Sequence, residues 1–250
     1  MNEVTEKKDA NAIAQTAQGW GDEIVLGQDI VIAKILAMQG LSDLVSEGRA
    51  KMGEMRDSLT GGLIAGIEQM FEFLPFHVEK FWDIEKEDGK GNYKWDRSEP
   101  LVETPGAPGY NDNLPWEYVE AGLKMKRKRR MNFYGMLASQ VKSGEGVPYI
   151  LAFKSTSFKE GKKLFTQMYL RNRRANLPPC AYVVAIKGVK RENDQGKFIV
   201  PTMELGRRAT PEEVQECFNW YQLIKKGDVK VDNSDLVKDT APDVEDTGEY

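Results

Sequence analysis

The sharpest constraint on how this chain folds is where its charges fall. Residues 124–208 carry 20 Lys and Arg against 5 Asp and Glu, a net of +15. Residues 1–123 carry 11 against 23, and residues 228–250 carry 2 against 8, so a near-neutral total hides a sorted chain. A block this basic has to lie on a surface and meet something negative. Its cations are interspersed with aromatic side chains, the footprint expected for nucleic acid, which offers phosphates and stackable bases together. The acidic run at 228–250 is a candidate internal competitor for that surface.

At 250 residues the chain can bury a real core in one large or two small domains. No apolar run reaches about 18 residues, so no membrane-spanning segment is expected. Residues 1–17 include Glu3, Glu6 and Asp9, unlike an export signal or transit peptide. Cys180 and Cys217 are the only cysteines and His77 the only histidine, too few for a four-ligand Cys/His zinc site. With no export signal a disulfide is not expected. The expected compartment is a reducing cytoplasm.

Residues 29–38 are apolar and β-branched and predict the first strand. Residues 43–60 read as a turn-rich crossover and 62–77 as a bent strand or strand pair. Segments 80–84 and 92–96 flank a charged, glycine-containing turn at 85–91, a hairpin signal. Four prolines make 98–116 a loop. Segments 130–140, 148–154, 181–190 and 197–205 predict strands, the last two joined by a turn at 191–196. Residues 157–174 predict a basic helix capped by Ser157 and weakened by Gly161. Residues 210–226 carry the strongest helix signal. Thr210 is the cap, Pro211 takes the first helical position and Glu213 completes a capping box. Val214, Cys217, Phe218, Tyr221 and Ile224 then share one face and read as core.

The expected architecture is mainly β: an oligonucleotide-binding (OB)-like β-barrel with one or two helices, a sandwich being the alternative. It is expected as a single domain with insertions over 22–227, after a flexible arm at 1–21 and before a disordered acidic tail at 228–250.

Catalytic chemistry is sparse. His77 lies in the apolar context LPFHVEKF, no serine sits in a nucleophile elbow, and a structural histidine is expected. Residues 61–66 are glycine-rich but lack the lysine of a phosphate-binding loop. Glu160-Gly161-Lys162 has the E-x-K form of a magnesium nuclease, yet no acid between 148 and 159 supplies its partner. The chain is expected to be no enzyme and to use no cofactor or metal. The alternatives are a metal-dependent nuclease, or a phage structural or host-takeover protein that meets an acidic protein partner.

Six cations in seven residues, Lys124, Lys126, Arg127, Lys128, Arg129 and Arg130, lead straight into Phe133 and Tyr134. Further cations recur near rings: Lys154 beside Phe153, Lys159, Lys162 and Lys163 before Phe165, Arg171, Arg173 and Arg174 after Tyr169, and Lys187, Lys190 and Arg191 after Tyr182. Tyr149 lies on the 148–154 strand, and Arg207 and Arg208 close the last one. Together these cations, with Phe133, Tyr134, Tyr149, Phe153 and Tyr182, form the expected nucleic-acid interface, cations neutralising phosphates and rings stacking on bases. In a barrel about half of such strand rings turn inward, so each ring stands at near-even odds of being core. No recognition-helix pair or zinc finger is visible, which favours single strands over duplex.

The tail ends D-V-E-D-T-G-E-Y, and the body from 148 to 226 runs strand, basic helix, long hairpin and T-P-E-E helix. That organisation resembles the replicative single-stranded-DNA-binding proteins of bacteriophages, which pair an OB-type core with an acidic tail ending in an aromatic or apolar residue. The resemblance covers roughly the C-terminal half in pattern. It implies a protein that coats single-stranded DNA in replication or recombination, self-association being compatible with that role. It further implies a tail that competes with DNA and docks phage polymerase, helicase or recombinase through Asp243, Glu245, Asp246, Glu249 and Tyr250.

Overall fold

A computed structural model of the chain describes residues 31–193 and 196–226. The expected arm at 1–21 and tail at 228–250, with its five docking residues Asp243, Glu245, Asp246, Glu249 and Tyr250, lie outside the described residues. In chain order the elements are β1 (Ala33–Ala37), α1 (Asp43–Ser46), β2 (Met55–Asp57), β3 (Leu63–Ala65), β4 (Phe71–Glu87), β5 (Tyr93–Pro100) and β6 (Glu117–Glu120). There follow β7 (Leu123–Leu137), α2 (Ala138–Ser143), β8 (Pro148–Lys154), α3 (Phe158–Ala175), β9 (Tyr182–Asn193), β10 (Gly196–Arg208) and α4 (Pro211–Lys226).

The protein is mainly β, a single ten-stranded sheet strongly curled into a half-barrel. Its order is β10-β9-β4-β7-β8-β1-β2-β3, with β5 added to β4 and β6 to β7. The spine is the long antiparallel pair β4–β7, in register from Phe73↔Leu137 to Lys86↔Met125. A side chain ties the end of β1 to the edge strand β10 across the curl. The Gln39 amide, just past β1, donates to the Ile199 carbonyl of β10 at 2.9 Å and accepts from the Ile199 N–H at 2.8 Å. It stands in for a ladder pair where no strand bridges the gap.

Period-two alternation sends successive residues of β7 to opposite faces. Met131 and Phe133 enter the hollow of the curl, where they meet Phe73, Trp82, Leu151, Phe153, Val184 and Ile186. Helix α3 fills that hollow with Phe158, Leu164 and Met168. Tyr134 and Met136 point to the outer face, which α4 covers with Val214, Cys217, Trp220, Tyr221 and Ile224. The capping box read from Thr210 is present: its hydroxyl accepts from the Glu213 N–H at 3.3 Å, and the Glu213 carboxylate accepts from the Thr210 N–H at 2.8 Å.

Gly161 does not weaken α3; it admits the helix. A Cβ there would come within 2.8 Å of the Phe153 ring, so only glycine lets the helix lie this close to β8. Ser157 does not cap α3 with its side chain, contrary to expectation. Its hydroxyl instead accepts from the Lys154 N–H at 3.0 Å and bonds the Lys154 carbonyl at 2.9 Å, fixing the turn out of β8. Strand β6 and helix α2 were not foreseen. β6 is Glu-Tyr-Val-Glu, with too few apolar residues to show an alternation.

Candidate nucleic-acid interface

The most basic run of the sequence lies on β7, and the register of the sheet places acids beside it. Asp83 and Glu85 of β4 pair across from Lys128 and Lys126. Lys128 Nζ lies 3.0 Å from Glu85, Lys126 3.3 Å from Glu117 and Lys124 3.8 Å from Glu87. Arg129 reaches Asp112 at 2.8 Å, while Arg127 stacks 3.6 Å over Tyr118 and donates to the Pro115 carbonyl at 3.0 Å. Arg130 is wholly buried, 3.0 Å from Asp83 and 3.1 Å from the Ser98 hydroxyl. Five of these six cations thus lie within 3.8 Å of an acid, and Arg127 is held by Tyr118 and the Pro115 carbonyl. Residues 81–130, which form the arm β4–β5–β6–β7, contain ten cations and ten acids.

The strand rings of the expected interface are also core. Phe133, Tyr134 and Phe153 are 0% exposed and Tyr149 is 4% exposed. The physical reason is the curl: one face of β7 and β8 lines a filled hollow and the other lies under helices, so neither face offers these rings to solvent. Tyr134 donates to Glu79 at 2.5 Å, and Glu79 lies 3.3 Å from His77, whose ring packs 5.7 Å from Tyr221. Burial pushes the Glu79 carboxyl up, but hydrogen bonds from His77 and Tyr134 outweigh it and hold the group below the usual carboxylate range. Burial also pushes the Tyr134 phenol far up, so it stays protonated and donates.

What remains exposed and basic is α3 with the β9–β10 hairpin. Helix α3 has six cations against one acid, Glu160. Lys159, Lys162, Lys163, Arg171 and Arg173 are exposed. Lys190, Arg191 and Arg208 are exposed on β9 and β10, with Lys187 half-buried beside them and Lys154 half-buried at the end of β8. Arg171 sits 5.0 Å over Tyr182, which keeps that half-buried ring in the interface. For Arg174 only the backbone, within α3, is described. Arg207 leaves the set: Glu213 holds it at 2.7 Å and Glu72 at 3.1 Å. Across a shallow hollow, Lys163, Gln167, Leu170 and Arg171 meet Met203, Glu204 and Leu205, making helix and hairpin one continuous surface.

The family model for the Pam3 phage gp34-like protein matches residues 4–230. The chain belongs to that family. No curated protein and no solved structure matches it. This gp34-like phage protein thus has two cationic regions of different kind, a neutralised arm and an open helix–hairpin face.

The rings that serve the open face were not among the expected ones. Phe165 and Tyr169, four residues apart on α3, stack with centroids 6.3 Å apart and planes at 18°. Tyr169 is 50% exposed, and Arg173 donates to its hydroxyl at 3.2 Å. Phe218, read as core, is 53% exposed on α4. The four-residue spacing of Phe165 and Tyr169 within a basic helix was the available sequence signal. No helix among the described residues is long and apolar enough to cross a membrane.

Proposed function

We propose that this phage protein binds single-stranded DNA without sequence preference, as a non-enzymatic coating factor in phage DNA replication or recombination within the host cytoplasm. The observation that supports this best is α3, a helix with five exposed cations and a stacked aromatic pair whose Tyr169 ring is exposed. Exposed cations can exchange their counterions for phosphates, while a ring beside them accepts a base. The β9–β10 cations extend the same surface. The charge of 228–250, net −6, suits it to compete for that surface and to dock basic partners such as a phage polymerase, helicase or recombinase. The family match to a phage protein fits this setting without specifying the activity.

A gel-shift series against oligo(dT), duplex DNA and RNA at two salt concentrations tests the reading. Binding to oligo(dT) that weakens steeply with salt and exceeds binding to duplex is expected. Equal affinity for a polyacidic protein and for oligo(dT) would overturn it.

A further inference from the structure

Beside the cationic side of α3 lies a cavity of about 1110 Å³, with α3 as one wall and α4 as the other. Its floor is residues 76–78 of β4 and its end wall is the turn at 177–180. The floor is bare because of the sheet's pairing. β4 holds β9 only along 71–73 and β5 only from Phe81 onward, so no strand covers its second edge in between. The volume slightly exceeds the about 300–1,000 Å³ typical of ligand pockets.

Rings and cations organise this space. Phe165 and Tyr169 stack along the α3 wall, Phe218 and Tyr221 line the α4 wall, and His77 lies on the floor. Lys80 sits 4.4 Å over Phe165, Arg173 5.7 Å from the Tyr169 ring and Lys225 5.8 Å from the Tyr221 ring. Lys80 is itself paired with Glu103, which leaves Arg173 and Lys225 as the stronger rim charges. An apolar, ring-lined hollow with a positive rim suits a ligand that is flat and apolar in its body and anionic in its backbone. An unpaired base on its phosphate has that chemistry. A hydrophobic peptide matches the walls but not the rim.

We propose that this cavity receives unpaired bases of the bound strand, stacked on Tyr169 and Phe218, while the α3 cations hold the flanking phosphates. Helical spacing supplies the layout. Phe165, Tyr169 and Arg173 recur every four residues on the cavity side of α3, and Lys159 and Lys163, also four apart, form a second line about 100° farther round the helix. A strand running along the helix would place phosphates over one stripe and bases over the other. The assignment rests on the single-strand-binding reading and adds the place where bases go.

The test titrates the full chain into oligo(dT) carrying one 2-aminopurine, with affinity measured over a range of salt. Tyr169→Leu and Phe218→Leu keep an apolar body but lose the flat ring, and both sites are half exposed, so folding is expected to survive; circular dichroism checks that it does. Each variant is expected to weaken binding by about 5- to 150-fold, the equivalent of about 1–3 kcal/mol for one stacked base. The salt slope is expected to stay unchanged and the 2-aminopurine quenching to shrink. Unchanged affinity and quenching in both variants, with wild-type binding intact, would remove the cavity from the interface and leave the functional reading standing. Absence of oligo(dT) binding by the wild-type chain would overturn both.

Discussion

The arm formed by residues 81–130 and the face formed by residues 158–208 both owe their character to Lys and Arg, yet they use them oppositely. The arm holds ten cations and ten acids; the helix–hairpin face holds twelve cations and four acids. In the arm, antiparallel pairing sets Asp83 and Glu85 across from the cations of β7, and cross-strand neighbours of opposite sign attract. On α3 six cations share the helix with rings and one acid, Glu160, and Glu204 lies across the hollow. A cluster of positive charge in sequence therefore becomes a positive surface only when the fold brings too few acids to balance it. The denser cluster was the one the fold neutralised.

The largest effect that could break this comparison belongs to the buried pair at the arm's root. Asp83 is 12% and Arg130 0% exposed at the side chain. Asp83→Ala would leave a guanidinium buried without its carboxylate, and a loss of about 3–5 kcal/mol is expected from urea unfolding. A change below about 1 kcal/mol would mean that Arg130 has an equivalent alternative partner, and the arm's neutrality would not be structural.

Next in size is the effect on binding. Lys159→Ala, Lys163→Ala and Arg171→Ala combined should lower the slope of log affinity against log salt by about 2, at about 0.7 per phosphate on single strands. The corresponding weakening at 0.2 M salt is on the order of 30-fold, about 2 kcal/mol. Lys126→Ala with Lys128→Ala in the arm is expected to leave the slope unchanged. A reversed outcome in filter binding would relocate the interface to β7.

Arg207 sharpens the contrast, because it falls within the basic face by sequence yet is held like an arm cation. The Arg207 guanidinium, followed by the Thr210 N–H and the charge of Lys142, outweighs burial and holds the Glu213 carboxyl below its ordinary value. A depressed carboxylate stabilises the fold above its unfolded value of about 4.3, and that contribution is lost as pH falls through the folded value. Arg207→Met should therefore cost about 1–2 kcal/mol at pH 7, discounted because Arg207 is one-third exposed, and less below pH 4. Equal costs at both pH values, measured by urea midpoints, would show that the pair is not the cause.

Local signals in the sequence carried over well. β8 runs over 148–154 as the strand pattern indicated, and the Thr210–Glu213 box opens α4. Both depend on residues within one or two turns of each other. The register of β4 against β7 was not legible, because it joins Glu85 to Lys126 across 40 intervening residues, and it decided the fate of the basic run. Whether a ring is core was equally hidden: Phe133 and Tyr134 face opposite sides of β7, but the curl and its helices cover both. Gly161 shows the converse case. Helix propensity counts it as a defect, while packing against Phe153 requires it.

The finest test of the comparison is a double-mutant cycle on Lys128 and Glu85, whose side chains are 23% and 20% exposed. If the arm's charges are coupled across the β4–β7 ladder, Lys128→Ala and Glu85→Ala should be non-additive by about 0.5–1 kcal/mol, shrinking in high salt because solvent partly reaches the pair. Lys163→Ala on α3 serves as the control. Its nearby acids are Glu160, three residues back on α3, and Glu204 across the hollow, and its effect on stability should stay within about 0.5 kcal/mol at any salt. Additivity at Lys128 and Glu85, alongside a salt-dependent loss at Lys163, would invert the assignment of which region's cations are engaged within the fold.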